Sequence, residues 1–263
     1  MEGPLAQGLP SGAAPGADSQ PYWRQRGWRV SAGFIALALA AGLSAVATQG
    51  LGGSATDGDR VALDHAQPLV KTNAGPGAAT AVPGRKTGCR TDDRDTSPPR
   101  AAPQGVQWRD LVGTKVPTSV SAGPLLASGP LWWCFAHTPM GAVMAAHVIP
   151  TQISGSAWRS VAEHQVVAGP RRDFFVALRS ATPDSPVPGR SAASYAGFSV
   201  MSYSAAEATV ELLVKGGQGT LFSTEVAVRW DDGDWKVVPQ TGGSLFQPLS
   251  TSDGSAGFLL WRS

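Results

Sequence analysis

Charged residues are scarce in this sequence: Asp, Glu, Lys and Arg make up only 15% of its 263 residues. The formal net charge is +2, and no Lys- or Arg-rich field runs through the part after residue 50. Proteins that bind nucleic acids usually carry such a field on one face. We therefore expect no direct contact with nucleic acid.

Motifs for catalysis or metal binding are also missing. The sequence has no His-Glu-x-x-His, no Gly-x-Ser-x-Gly, no Ser-x-x-Lys and no phosphate-binding loop. After residue 104 the histidines are His137, His147 and His164, and the first two are ten residues apart rather than the four that place two ligands on one helix face. The sequence predicts a protein without catalytic residues, cofactor or metal.

One long stretch has no charge at all, the eighteen residues 30–47. Extended to residue 51, it would form a helix of roughly 33 Å, enough to cross a hydrocarbon core of about 30 Å. Three arginines precede it closely, and no Lys or Arg follows until Arg60. By the positive-inside rule, we predict a single-pass protein of the cell membrane with a cytoplasmic N-terminus and an extracytoplasmic C-terminal part.

Two alternatives to a retained anchor remain open. Ala45-Val46-Ala47 matches the small-x-small cleavage pattern of a signal peptide, although the apolar run and the leader before it are longer than usual for one. A buried helix of a soluble protein is the second alternative, and the length of the uncharged run disfavours it. Both an anchor and a signal peptide would export the C-terminal part.

Small residues recur every four positions within the same run, at Ala32, Ala36, Ala40 and Ser44. Such a stripe allows two membrane helices to approach closely. A homo-oligomer is therefore a candidate assembly.

Only two cysteines are present, Cys89 and Cys134, and both follow the predicted anchor. An even number of cysteines in an oxidising compartment favours a disulfide. That bond would close a loop of about 45 residues and stabilise the fold by roughly 4 kcal/mol. Two unpaired thiols remain the alternative.

Glycine (32 residues) and proline (21 residues) together make about a fifth of the chain, which indicates long irregular segments beside a modest folded part. The composition divides the chain into a disordered cytoplasmic tail (1–29), a transmembrane helix (30–51), a flexible extracytoplasmic linker (52–103), an α+β interaction domain (104–240) and a C-terminal extension (241–263).

Helical signals come first in the domain. Thr138 is predicted to be an N-cap with Pro139 at the first helical position, and Pro150 is predicted to end that helix. The apolar spacing predicts a second helix from about Ser156 to Ala168 and a third over Arg171–Ser180.

From about residue 195 the period of the apolar residues changes to two. This alternation predicts strands over 195–203, 208–215, 220–230 and 235–238, with a hairpin turn at 231–234. Helices followed by consecutive antiparallel strands predict an α+β domain, with helices packed on one face of a curved antiparallel sheet.

Two adjacent tryptophans, Trp132 and Trp133, lie in an apolar run that is expected to be buried. On a strand their indoles point to opposite faces, so both cannot point inward. One of them is a candidate protein-contact residue, because tryptophan is enriched at interfaces. Together with His137 they form the candidate contact surface.

The order of anchor, spacer, helices and a four-strand meander, closed by Trp230-Asp231-Asp232-Gly233-Asp234-Trp235-Lys236-Val237, resembles the nuclear-transport-factor-2-like fold. In that fold, helices and a curved sheet form a cone. Several segments further resemble a group of actinobacterial single-pass membrane proteins associated with conjugative elements. They are Gly88-Cys89, Val116-Pro117-Thr118-Ser119, Gly123-Pro124, Cys134-Phe135-Ala136-His137-Thr138-Pro139-Met140-Gly141-Ala142, Gly233-Asp234-Trp235-Lys236-Val237 and the terminal Gly257-Phe258-Leu259-Leu260-Trp261. The part that begins Cys134-Phe135-Ala136-His137-Thr138-Pro139 is the distinctive one.

This resemblance covers about residues 88–261 and extends more distantly to TcpC-like scaffold subunits of type IV secretion and conjugation machines. It implies a non-enzymatic, membrane-anchored scaffold or accessory protein whose extracytoplasmic domain contacts other membrane proteins of a transfer complex. Two alternatives stay open. One is a cell-envelope sensor or ligand-binding protein that uses the cone pocket. The other is a pocket enzyme of the same fold class, with Asp173, Glu163 or His137 as candidate base.

Overall fold

The computed structural model describes residues 66–70, 84–86, 88–182 and 193–262. The predicted cytoplasmic tail and transmembrane helix, residues 1–51, lie outside these ranges. Within them, no helix combines the length and the apolar character needed to cross a bilayer.

Over the described ranges the chain is an α+β protein with antiparallel sheets. Its helices are α1 (Pro139–Ile153), α2 (Trp158–Gln165) and α3 (Pro170–Ser180). Its strands are β1 (Gln67–Pro68), β2 (Gln107–Leu111), β3 (Thr114–Thr118), β4 (Leu126–Ser128), β5 (Leu131–Trp133), β6 (Ser194–Tyr203), β7 (Glu207–Lys215), β8 (Leu221–Asp231), β9 (Asp234–Val237), β10 (Ser250–Thr251) and β11 (Leu259–Leu260). The α+β prediction is confirmed.

The main sheet has the order β10-β8-β7-β6-β11, and β9 also pairs with β8. Alternate residues of its long strands point to one face, and cross-strand partners such as Val210 and Val226 are at most 1% exposed. Helix α1 packs against this face and is buried along almost its whole length. The predicted strands β6 to β9 are therefore confirmed, although two register shifts interrupt the period of two in β6.

The C-terminal segment covers both edges of the main sheet. Thr251 of β10 pairs with Phe222 of β8, and Leu259 of β11 pairs with Phe198 of β6. Residues 252–258 therefore cross from one edge to the other. Each pairing covers two residues of its neighbour, and the strands β10 and β11 are themselves so short that they offer little free backbone to a foreign strand.

Two smaller sheets flank the helices: the β2–β3 hairpin and the sheet β1-β4-β5. Strand β5 is an edge strand, and amide side chains cap it. The Gln152 side-chain oxygen accepts from the Trp132 N–H at 2.6 Å, and the Gln165 amide donates to the Trp132 carbonyl at 2.8 Å. These two glutamines are buried and also bond to each other.

Helix α1 begins as predicted, since the Thr138 hydroxyl accepts from the Gly141 N–H at 3.1 Å. The prediction that Pro150 ends the helix is wrong, because the helix continues to Ile153. Proline removes one backbone donor from the ladder. The Thr151 hydroxyl adds a bond there, donating to the His147 carbonyl at 2.8 Å, and the buried Ile153 holds the last turn in the core.

Helix α2 is shorter than predicted and ends at Gln165 rather than near Ala168. Val166 is extended and forms a parallel bridge with Val237 of β9, so tertiary pairing takes over the last predicted turn. The prediction for α3 is confirmed, with its start one residue earlier at Pro170.

Parts of the segment that the sequence assigned to a linker are packed on the domain. Strand β1 pairs with β4, and Val70 is 2% exposed. Cys89 is 4% exposed, and the Arg85 side chain is also 4% exposed. The described residues before 104 thus belong to the folded unit.

Candidate functional site

The distinctive segment Cys134–Thr138 meets the β8–β9 hairpin at a buried polar junction. Asp232 and Gly233 in the hairpin turn both have positive φ, the geometry of a tight two-residue connection. The turn brings the Asp234 carboxylate under the segment, where it accepts from the Cys134 N–H at 2.7 Å and the Phe135 N–H at 3.0 Å. The hairpin therefore holds the segment in place through hydrogen bonds to the backbone of the segment.

The neighbouring Trp235 adds a further bond to the same segment. Its indole N–H donates to the Ala136 carbonyl at 2.9 Å, and the ring is fully buried. Burial raises the pKa of Asp234, while the N–H groups of Cys134 and Phe135 oppose that shift. Both carboxylate oxygens accept hydrogen bonds from backbone N–H groups, which leaves this side chain committed to structure.

Arg85 joins the N-terminal side of the chain to this junction. Its guanidinium donates to the Phe135 carbonyl at 2.8 Å and forms an ion pair with Asp93 at 3.1 Å. It also lies over the Trp230 ring, 4.8 Å from the centroid. A Cβ at Gly233 would collide with the Gly84 carbonyl oxygen, so only glycine allows this close approach.

His137 lies at the edge of the junction and is half-buried. Its ring stacks on Trp230 with centroids 3.8 Å apart, and Nε2 lies 2.6 Å from the Ala205 carbonyl oxygen. A carbonyl only accepts, so Nε2 carries the proton. The His137 backbone N–H donates to Asp93 at 2.8 Å. Contacts with Trp230, the Ala205 carbonyl and Asp93 therefore fix the position of His137.

The two adjacent tryptophans point apart, as predicted. Trp133 is 3% exposed and belongs to the core, whereas Trp132 is half-buried at the domain surface. Of the three residues in the candidate contact surface, Trp132 and His137 retain partial exposure. The structure brings His137 to Trp230 and Trp132 to Gln152.

The candidate bases of the pocket-enzyme alternative do not meet in the described residues. Glu163 and Asp173 are exposed on α2 and α3, while His137 lies at the junction with Trp230. In the same ranges, no three or more His, Cys, Asp or Glu side chains lie close enough to hold a metal ion.

A second polar cluster lies in the interior, at the C-terminal half of α1. His147 is fully buried, and its Nδ1 lies 2.7 Å from the Val143 carbonyl oxygen, so Nδ1 carries the proton. The other ring nitrogen accepts from the Trp261 indole N–H at 3.2 Å. Tyr195 also approaches, with its hydroxyl 2.9 Å from that of Thr151. This histidine ties the C-terminal strand to α1.

The space between α1 and the sheet is filled by side chains that include Phe198, Val210 and Trp235, each at most 1% exposed. A cleft of about 450 Å³ opens elsewhere, between the proline-rich segment before β2 and the start of α1. Its lining includes Asp92, Asp95, Pro98, Arg100, Thr138 and Met140.

A comparison with protein-family models matches residues 70–260 to a domain of unknown function, DUF8175. The match covers just under three quarters of the 263 residues. The chain belongs to this family. Neither the curated proteins nor the solved structures give a match.

The DUF8175 match begins at Val70 and ends at Leu260, so it includes the described residues 84–86 and 88–103 and the strand β11, whereas β1 lies just before it. The disulfide between Cys89 and Cys134 lies inside it, with Cα atoms 5.3 Å apart, and the predicted pairing is present. Both ends of this bond are buried, and Cys134 is also the residue whose N–H bonds to Asp234.

Sequence reasoning missed Asp234, Arg85 and Asp93 as the residues that build the junction of this DUF8175 domain. Asp234 was placed only in a turn, and the two others only in a linker. The available signal was local: a cluster of seven charged residues between Arg85 and Asp95, around the first cysteine. The partners of the three junction residues in the Cys134–Thr138 segment lie 44 to 100 residues away, so spacing could not reveal them.

The buried His147 makes the stability of the DUF8175 domain depend on pH. Burial lowers its pKa from 6.5 to about 4. The unfolded chain therefore binds a proton that the folded chain excludes, and the stabilisation present above pH 6.5 is lost as the pH falls towards 4. At 1.36 kcal/mol per pKa unit, we expect a loss of about 3 kcal/mol from this group.

Urea unfolding of the detergent-solubilised full chain, followed by near-UV circular dichroism across this pH range, measures the effect. His147→Gln should flatten the pH dependence by that amount, whereas Met201→Gln, at an exposed position of β6 without a titratable group, should leave it unchanged. An equal change of unfolding free energy with pH in the wild type and in His147→Gln would contradict the lowered pKa of His147.

Proposed function

We propose that the chain is a non-enzymatic, membrane-anchored scaffold or accessory protein of a conjugation or secretion complex, resembling TcpC-like proteins. Its extracytoplasmic domain is a nuclear-transport-factor-2-like cone that binds other membrane proteins. The arrangement of α1 over the antiparallel meander β6 to β9 supports the cone. The resemblance of the Cys134–Ala142 segment supports the complex.

The observation that carries the proposal is the buried disulfide from Cys89 to Cys134. Disulfides persist in oxidising compartments outside the cytoplasm, which supports export of the domain. The bond also fastens the segment that follows the predicted anchor to the centre of the fold. Strand β1 and Arg85 add contacts along the same segment. A domain held this firmly to its tether is suited to a structural position in an assembly.

The chemistry of the polar groups supports a non-enzymatic role. Asp234 binds backbone N–H groups, His147 links Val143 to Trp261, and the interior is filled by apolar and aromatic side chains. A general base needs access to a substrate and a positioned acid or oxyanion donor. In the described part of the chain these two buried groups have neither.

In-cell crosslinking of the tagged full-length chain tests the proposal. A photo-crosslinking amino acid replaces the half-buried Trp132, and the same amino acid at the exposed Met201 of β6 provides the matched control. We expect Trp132 to capture channel proteins or other membrane proteins of a transfer complex that expose a part on the same side of the membrane, identified by mass spectrometry.

Capture of the chain by itself alone, or of cell-wall enzymes only, would contradict the scaffold role and favour the sensor or ligand-binding alternative. The same catalogue of proteins at both positions would show that the contact is not specific to the Trp132 surface.

A further inference from the structure

Helix α3 presents a pair of large apolar side chains to solvent. Phe174 and Leu178 lie one turn apart, and each is 47% exposed. The only residue of α3 that is buried is Phe175, on another side of the helix. The Gly243 turn lies against both side chains, and the described part of the domain leaves about half of this apolar pair exposed.

Arginines frame this apolar pair. Arg171 is exposed one turn before Phe174, and Arg172 is half-buried on the side towards α2. Arg159, exposed on α2, approaches the Ser180 hydroxyl at the end of α3 at 3.4 Å. In the described ranges, no carboxylate pairs with any of these three; Arg171 approaches the Pro239 carbonyl at 3.4 Å and Arg172 the Glu163 carbonyl at 3.1 Å. Guanidinium groups that are oriented by backbone oxygens and lack a counter-charge are suited to bind phosphate.

Charge is unevenly distributed between the helices α2 and α3 and the later part of the chain. Residues 158–180 hold four arginines against two acids, whereas residues 193–262 hold seven acids against four basic residues. The turn at Gly243, which lies against Phe174 and Leu178, sits in a stretch without any charge from Val238 to Ser252. Residues 158–180 are thus basic and residues 193–262 acidic; residues 84–157 are basic as well, with seven Lys and Arg against four Asp.

We infer that α3 lies on the surface of an anionic phospholipid bilayer, with Phe174 and Leu178 in the headgroup region and Arg171 and Arg172 on lipid phosphates. Interfacial helices combine these features: Phe and Leu on one side and Arg on its flank. This inference rests on the proposed function, because it takes the chain to be anchored in that membrane.

The tether, residues 52–65 between the predicted membrane helix and the first described residue, is long enough to allow α3 to contact the bilayer. Fourteen residues separate the predicted end of the membrane helix at residue 51 from Ala66, the first described residue. Fully extended, they reach roughly 48 Å at most. Any face of the domain can therefore reach the bilayer, and the tether keeps the local concentration of lipid high, so a contact of modest affinity suffices.

Fluorescence quenching in vesicles tests the inference on the full chain. Both native cysteines are joined in the disulfide, so a thiol-reactive environment-sensitive dye labels only Cys introduced by Ala177→Cys on α3. Met201→Cys, at an exposed position of β6, is the matched control. The vesicles contain equimolar phosphatidylglycerol and phosphatidylcholine with a nitroxide-labelled lipid as quencher. We expect quenching at position 177 and none at position 201.

Removing the charges should weaken docking without unfolding the domain. Each basic residue near an anionic surface contributes about fivefold to the equilibrium, so Arg171→Gln with Arg172→Gln should lower the docked-to-undocked ratio about 25-fold. High salt should act in the same direction. An unchanged thermal unfolding midpoint identifies the loss as one of binding.

Absence of quenching at position 177, equal quenching in pure phosphatidylcholine, or persistence in the double glutamine variant would each overturn the inference. The inference would also be overturned if position 177 crosslinked to a protein in native membranes and that protein kept the lipid quencher away from it. Anchoring is measured separately by carbonate washing: if the wash removes the chain from the vesicles, the predicted membrane anchor is contradicted. For such a chain, quenching at position 177 after addition to anionic vesicles still decides the lipid contact.

Discussion

Reduction of the Cys89–Cys134 disulfide is expected to lower the free energy of unfolding by about 4 kcal/mol. The bond closes a loop of 45 residues, and in the chain-entropy model a crosslink of that span removes this much freedom from the unfolded chain. Both cysteines are buried, so reduction also leaves two thiols in the core beside the Asp234 junction. Urea unfolding of the detergent-solubilised full chain with and without dithiothreitol measures the change.

The double variant Cys89→Ala with Cys134→Ala is the control. It should match the reduced wild type in stability and respond no further to dithiothreitol. A difference of less than about 1 kcal/mol between the oxidised and reduced wild type would contradict the expected contribution. It would also weaken the view that this bond fastens the tether to the domain.

The start of α1 and the long strands could be predicted because their signals are local. Thr138 supplies its own capping oxygen to Gly141, three residues away, and Pro139 is pre-organised for a first helical turn. In β7 and β8 the alternation of apolar residues reflects one buried face, as the pairing of Val210 with Val226 shows. Neither signal depends on distant parts of the chain.

The end of α1 could not be predicted, because it depends on tertiary contacts. Pro150 is a local stop signal, but the Thr151 hydroxyl and the packing of Ile153 carry the helix another turn. Tyr195, which bonds to Thr151, is 44 residues away in the sequence. The early end of α2 has the same origin, since Val166 pairs with a strand that follows much later.

The short strands carried too little sequence for a period to appear. Strands β1, β10 and β11 have two residues each, and their pairing with β4, β8 and β6 is visible only in three dimensions. The sequence assigned residues 241–263 only to a C-terminal extension, which ends on the apolar run of residues 257–261. That apolar end is β11 and Trp261, which close one edge of the sheet and contact His147.

The junction is also a product of long-range contacts, and its role follows from where they converge. Asp234 reaches backbone groups 99 and 100 residues earlier, and Arg85 reaches a carbonyl 50 residues later. Through these contacts the segment that follows the predicted anchor, the distinctive Cys134–Thr138 segment and the last hairpin form one unit. The candidate contact residue His137 lies on its edge, where its orientation is fixed by Asp93 and Trp230.

Replacement of Asp234 by alanine is expected to lower the free energy of unfolding by about 4 kcal/mol. It leaves the N–H groups of Cys134, Phe135 and Trp235 without their acceptor, and an unsatisfied buried donor costs about 1–3 kcal/mol. Asp234→Asn should cause a smaller loss, because its amide oxygen can still accept on one side. Asp231→Ala, in the same hairpin but 39% exposed and paired with Lys236, should cost less than about 1 kcal/mol.

Combining Asp234→Ala with reduction of the disulfide distinguishes a shared junction from two independent supports. Both interactions hold Cys134, and contacts that share a residue are coupled. The loss of unfolding free energy in the reduced Asp234→Ala variant should therefore be smaller than the sum of the losses caused by each change alone. Once the crosslink is gone, part of the backbone order that Asp234 maintains has already been lost. Strict additivity in urea unfolding would show that the carboxylate and the disulfide stabilise separate parts of the domain.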